Sequence, residues 1–226
     1  MSAGNSYSRF RTGYPQSPPG QRTNRLVVVG LALLLVLVVV TLWLYLYLKS
    51  LEKPYLQIKG YRVATMQSFN NFLRREGNRA RVTELTRFLE KEGVGDVIAV
   101  HELLRQGTDW LDIDEPPFAI PPSDHWRNIV TTLAIIRDEV QPTVGAVEVL
   151  SAYRTDNYNR KSGGAARSKH RDFCGIDVVP KSNISRKELV QELQSLHRRL
   201  GPKSNLGLGI YSSVRFHIDT CGYRIW

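Results

Sequence analysis

Between Leu26 and Leu48 the chain has no charged residue, and before that run, in residues 1–25, it has no acidic one. The first absence leaves nothing that must be solvated, and LVVVGLALLLVLVVVTLWLYLYL is long enough to cross a hydrocarbon layer of roughly 30 Å. The second leaves Arg9, Arg11, Arg22 and Arg25 unopposed, so the positive-inside rule keeps residues 1–25 in the cytosol and the rest of the chain outside. A small-residue cleavage site is also missing, since Lys49, Ser50, Leu51, Glu52 and Lys53 follow the run. That argues for an uncleaved anchor over a signal peptide. No internal repeat is present. Gly163 and Gly164 lack the Lys-Ser/Thr ending of a phosphate loop and read as a tight turn. Dense positive charge is lacking too: residues 54–226 hold 25 of the 31 bases and 20 of the 21 acids. This balance suits a loose attraction to an anionic wall or lipid surface, or an ordinary basic surface, better than a dedicated nucleic-acid binder. Cysteine is scarce, and both copies, Cys174 and Cys221, fall in the part expected to face an oxidising compartment.

A chain of 226 residues has room for one globular domain and an appendage. Residues 1–25, rich in Ser, Pro, Gly, Asn and Arg, read as a disordered tail. After Pro54, the apolar spacing predicts helices over Tyr61–Glu76, Arg81–Gly93 and about Gly95–Gln106. IDEPPFAIPPS, from Ile113 to Ser123, has four prolines and reads as an extended crossing. A helix with Trp126, Ile129, Val130, Leu133 and Ile136 on one face follows and ends near Pro142. Beyond it come β-rich runs at 146–153, 175–179, 206–211, 214–219 and 223–226, interrupted by one helix, Ser185–Leu200. Helices first and a mainly antiparallel sheet afterwards make an α+β fold.

Histidine and carboxylate are standard zinc ligands, and a catalytic zinc takes three while leaving a fourth position for water. His170 and Asp177 are seven residues apart, which on a straight helix would separate them by roughly 10 Å. Phe173, Cys174 and Gly175 must instead bend, so that His170 comes from a loop and Asp177 from the start of a strand. His217 and Asp219, two apart in an alternating strand, point to one face. By spacing alone such scattered ligands are a weak signal, and a core histidine with two surface carboxylates is the commoner reading. His101, His125 and His197 read as structural.

The resemblance adds more. SKHRDFCGIDVV resembles the Ser-x-His followed seven residues later by Asp that marks the M15 peptidases, and SAYRTDNYN resembles their Ser-[Ala/Gly]-Tyr-Arg element. FHIDT is similar to the His-x-Asp closing motif of a subgroup related to murein L,D-endopeptidases, and PPFAIPPSDHW, Pro116–Trp126, also fits it. The likeness covers roughly 84–226, which is taken as the peptidase domain, with 26–48 as anchor and 49–83 as a juxtamembrane helical region.

The resemblance implies a zinc ion held by His170, Asp177 and His217, with Arg154 facing the oxyanion of the scissile carbonyl. Ser168 lies in the loop presenting His170 and is grouped with Arg154 on the substrate side. A metal shared by these ligands would bring Cys174 and Cys221 together as a disulfide; two separate thiols, or zinc ligation by either, are the alternatives. The best-known members have a glutamate as general base three residues before the last histidine, where this chain has Val214. After Glu192 the one acidic residue is Asp219. It is therefore the leading candidate for the base, or else a group that orients a ligand. Arg160, Lys161, Arg167, Lys169 and Arg171 surround these residues as a substrate-facing or merely solvated cluster. The implied activity is hydrolysis of a peptidoglycan amide in the periplasm by a single-pass protein of the bacterial inner membrane. A non-catalytic wall-binding module is the alternative, and no nucleic-acid partner is expected.

Overall fold

A computed structural model of the protein describes Gly13 and residues 20–226, so most of the tail expected to be disordered lies outside the described residues. Helix α1, Gly20–Ser50, contains the apolar run. Its stretch Asn24–Ser50 is long and apolar enough to cross a membrane. Thr41 shares its hydroxyl proton between the carbonyls of Leu37 and Val38, both at 2.9 Å, which satisfies that hydroxyl without water.

Lys53–Trp226 forms a compact unit of its own. It opens with a hairpin, β1 (Tyr55–Ile58) and β2 (Tyr61–Ala64), closed by Lys59 and Gly60, both at positive φ. Such a two-residue turn suits the twist of an antiparallel pair. The helix expected from Tyr61 therefore starts later, as α2 (Met66–Leu73), where Thr65 caps it by accepting from Ser68 N at 3.1 Å. Helix α3 spans Asn78–Lys91. Phe69 and Phe72 pack on Phe118, so residues 53–83 share the core of 84–226 and the boundary drawn at 83 separates no second core.

The helix expected over Gly95–Gln106 shrinks to the single turn α4, Val100–Leu103. Beyond it the backbone pairs with the proline-rich crossing instead: Gln106 N donates to Pro117 O and Ala119 N to Leu104 O, each at 3.0 Å. The next helical track begins as a 3₁₀ helix at Ser123–Ile129, continues as α5 (Val130–Ile135) and a π turn (Ile136–Val140), and closes as α6 (Gln141–Val144). It runs through Pro142, the second residue of α6, directly after the π turn. Ile129, Leu133, Ile136, Val140 and Val144 form its buried stripe.

Strands β3 (Val147–Ser151) and β4 (Ile176–Pro180) flank α7 (Asp156–Lys161), a short helix not expected from the sequence. Then come α8 (Arg186–Leu200), β5 (Gly207–Ile210), β6 (Phe216–Asp219) and β7 (Arg224–Ile225). The sheet order is β3-β4-β6-β5-β7, antiparallel except for the β5–β7 pair. Alternation sorts its two faces. Val149, Ile176, Val178, Leu208, Phe216 and Ile218 enter the main core with Leu189, Leu193 and Leu196 of α8. On the other face, Leu150 and Val179 take Val63 of the hairpin, with Ile58, Tyr61 and Val214 packed against them.

Candidate metal centre

The polar face carries one row of cross-strand neighbours: Ser151 opposite Asp177, Asp177 opposite His217, and His217 opposite Gly209. His170 reaches this row from the loop after α7. Phe173, buried and at positive φ, turns the chain there, and the N–H groups of Cys174 and Gly175 both donate to Lys169 O. This is the bend that the seven-residue interval requires. His170 Nδ1 donates to Ala152 O at 2.8 Å, which fixes the tautomer and leaves the Nε2 lone pair 3.3 Å from Asp177 Oδ1. His217 presents Nδ1 to the same oxygen at 3.0 Å.

Three buried donor atoms, one each from His170, Asp177 and His217, thus lie within 4.8 Å of one another. Zinc bonds of about 2.0–2.1 Å at tetrahedral angles put neighbouring donors about 3.3 Å apart. The two His–Asp distances match that edge, and the donor set fits zinc chemistry. Burial first, and then Arg154, push His170 down to about 4, so its imidazole is neutral and free to ligate at neutral pH. Burial opposes charge on Asp177, yet the adjacent imidazoles hold it well below the usual carboxylate range. Burial also opposes charge on His217, but hydrogen bonds to Asp177 and Asp219 outweigh it and raise the pKa.

Asp219 is not placed as a base. It is fully buried and takes four donors: His217 Nε2 at 2.9 Å, Cys221 N at 2.8 Å, and Arg224 Nη1 and Nη2 at 3.1 and 2.6 Å. A carboxylate offers about four lone-pair sites, so none is left for a proton in transit. It sits behind His217, on the nitrogen facing away from Asp177, and orients that ring. Gly207 makes the pairing possible, because a Cβ there would lie 2.6 Å from both Arg224 Nη1 and Asp219 Oδ2.

Arg154 holds Asp177 Oδ2 through Nη2 at 2.9 Å and donates from Nε to Gln106 O and Ser151 Oγ. With Asp177, Thr108, Asp109, Ser151 and Arg215 it lines a polar cavity of about 160 Å³. Ser168 is not among the residues lining this cavity; its N–H donates to Ala165 O at 3.0 Å within the turn before His170. Cys174 and Cys221 are joined by a disulfide, which removes both sulfurs as ligands. In the basic cluster, Lys161 pairs with Glu115, Lys169 with Asp172 and Arg171 with Asp156, as expected of a solvated loop. His197 Nε2 donates to Leu206 O at 3.2 Å and its ring stacks on Tyr223, a structural role.

Sequence reasoning missed Tyr211, whose hydroxyl donates to Asp177 Oδ1 at 3.3 Å and whose pKa burial pushes up to about 12. Extending the alternation of β5 by one residue would have found it. Arg224 and Trp226 were also missed; the indole lies 5.4 Å from the His217 ring, over Gly209.

A family model described as Peptidase M15 matches residues 104–219. The chain belongs to the M15 peptidase family. The match contains Arg154, His170, Asp177 and His217, and it stops before Cys221, Arg224 and Trp226. A search of curated proteins and a search of solved structures each returned no significant match. In this M15 chain, then, the segment that fixes Asp219 behind His217 lies outside the matched residues.

Proposed function

We propose that the protein is a membrane-anchored, zinc-dependent peptidase that hydrolyses an amide bond in peptidoglycan stem peptides or cross-links. The observation that carries this reading is the meeting of His170 Nε2, Asp177 Oδ1 and His217 Nδ1 inside the segment matched by the M15 family. Bound by these atoms, zinc would supply a Lewis acid for the scissile carbonyl and lower the pKa of the attacking water. Arg154, already aimed across the cavity, steadies Asp177 and offers positive charge where the carbonyl oxygen becomes anionic. His217 keeps its orientation because Asp219 holds the opposite ring nitrogen. The base role passes to Asp109, the one carboxylate besides Asp177 lining the cavity, which accepts from Tyr158 Oη at 2.5 Å.

The long apolar helix and the arginines before it favour a single-pass protein with a cytosolic N-terminus and the catalytic unit in the periplasm of a bacterial inner membrane. The disulfide agrees with an oxidising compartment. The test uses the full chain in detergent micelles, incubated with cross-linked peptidoglycan before and after metal removal and zinc restoration. Zinc-dependent products, identified by mass and lost in His170→Ala, are expected. A folded, zinc-loaded chain that releases nothing would turn the reading to a non-catalytic wall-binding module. Asp109→Asn should lower kcat about 10²- to 10⁴-fold with zinc affinity unchanged; undiminished turnover would remove Asp109 from the base role.

A further inference from the structure

The buried and half-buried arginines around the polar face have carboxylate partners, with one exception. Arg105 pairs with Glu148, Arg154 with Asp177 and Arg224 with Asp219. Among the described residues no carboxylate reaches ion-pair distance of Arg215, and its Nε is buried without a hydrogen bond. The side chain is nonetheless held in place. Its guanidinium carbon lies 4.0 Å from the Tyr211 ring centroid on one side and 5.6 Å from that of Tyr61 on another. Both rings are themselves tied down, Tyr211 to Asp177 Oδ1 and Tyr61 to Ser213 Oγ at 2.6 Å.

Holding a permanent cation partly out of water with no counter-ion is costly unless an anion completes it. The two rings keep the planar fork in a fixed orientation, which favours a planar, bidentate partner. Arg215 lines the same cavity as Asp177 and Arg154. In that cavity Asp177 is already balanced by Arg154, while Asp109 holds a hydrogen bond from Tyr158 and lies beyond ion-pair distance of Arg215.

We infer that Arg215, clamped by Tyr61 and Tyr211, is a receptor for a free carboxylate of the substrate peptide. The identity of the ligand rests on the peptidase reading above. A carboxylate seated there leaves the neighbouring amide at Asp177 and the two histidines, so the enzyme favours amides near a free C-terminus over amides within longer chains. The hairpin β1–β2, next to the anchor in sequence, supplies Tyr61 and so builds part of the substrate site.

The test is binding to the full chain in detergent micelles after metal removal, where no turnover confuses the titration. The probes are diacetyl-L-lysyl-D-alanyl-D-alanine and its C-terminal carboxamide. The acid should bind about 10- to 100-fold tighter than the amide. Arg215→Gln should bring the acid down to the affinity of the amide and leave the amide unchanged, with Tyr61→Leu giving a partial loss while the charge stays. Equal affinities in the wild-type chain, no measurable binding of either probe, or an acid preference that survives Arg215→Gln would each overturn the receptor. Zinc added to the same samples reads the peptidase separately. Acid preference without cleavage would refute hydrolysis and keep the receptor, whereas cleavage of acid and amide at equal rates would refute the receptor alone.

Discussion

Replacing Asp219 by Asn separates an orienting carboxylate from a catalytic base. The four donors that meet this carboxylate are His217 Nε2, Cys221 N and both Arg224 terminal nitrogens. An amide accepts at only one of its two ends, and each Asp219 oxygen takes two of these donors, so Asn sets two of the contacts donor against donor and removes the charge opposite Arg224. Loss of an orienting partner behind a ligating histidine typically weakens metal binding by about 10- to 100-fold, or about 1.4 to 2.8 kcal/mol. Excess zinc restores such a site. Loss of a base instead costs about 10²- to 10⁴-fold in kcat at any zinc concentration. Competition against a chelating chromophore gives the zinc affinity, and turnover at saturating zinc gives kcat. Weakened binding with kcat recovered to within about tenfold is expected, short of the loss of a base. Wild-type affinity combined with lost turnover would refute the argument and return the base role to Asp219.

Zinc uptake should release a proton below the raised pKa of His217, because the ring atom facing Asp177 must be deprotonated to ligate. Calorimetry in buffers of different ionisation enthalpy measures it, and a buffer-independent heat at pH 6 would contradict it. The Cys174–Cys221 disulfide spans 47 residues, and loop-closure entropy assigns it about 4 kcal/mol. Urea unfolding of the double Ser variant should show that loss, and a difference below about 1 kcal/mol would show that native contacts hold the two segments without the bond. Gly207→Ala places a Cβ 2.6 Å from Arg224 and Asp219, so zinc affinity should fall as it does in Asp219→Asn; wild-type affinity would mean that β7 shifts aside at no cost to the site.

Long apolar stripes and alternating strands were legible because burial enforces their period: the stripe from Ile129 to Ile136, the leucine face of α8, and the runs that became β3 to β7. The failures lie where backbone partners outside the local window decided the outcome. Tyr61–Ala64 has a helix-compatible pattern, yet Lys59 and Gly60 close a hairpin before it. Gln106 stops being helical because Pro117 O, eleven residues on, takes its N–H.

The candidate site divides along the same line. That His170, Asp177 and His217 meet was implied by the family resemblance; spacing alone gave the loop, the bend and the strand but left the three residues readable as core and surface groups. Which nitrogen of His217 faces Asp177 does not follow, because it depends on what stands behind the ring. Asp219 lies two residues from His217 and shares its face, so sequence alone leaves it free to look toward substrate or away from it. Arg224 decides the matter: β7 pairs in parallel with β5 and sets its guanidinium against both Asp219 oxygens beside Gly207. A carboxylate neutralised from behind in this way is a poor proton acceptor and a good anchor for an imidazole. The placement of Asp219 is therefore set by a two-residue strand beyond the last sequence motif, and beside the paired Arg154 and Asp177 it leaves Asp109 and Arg215 as the other charged groups that line the cavity.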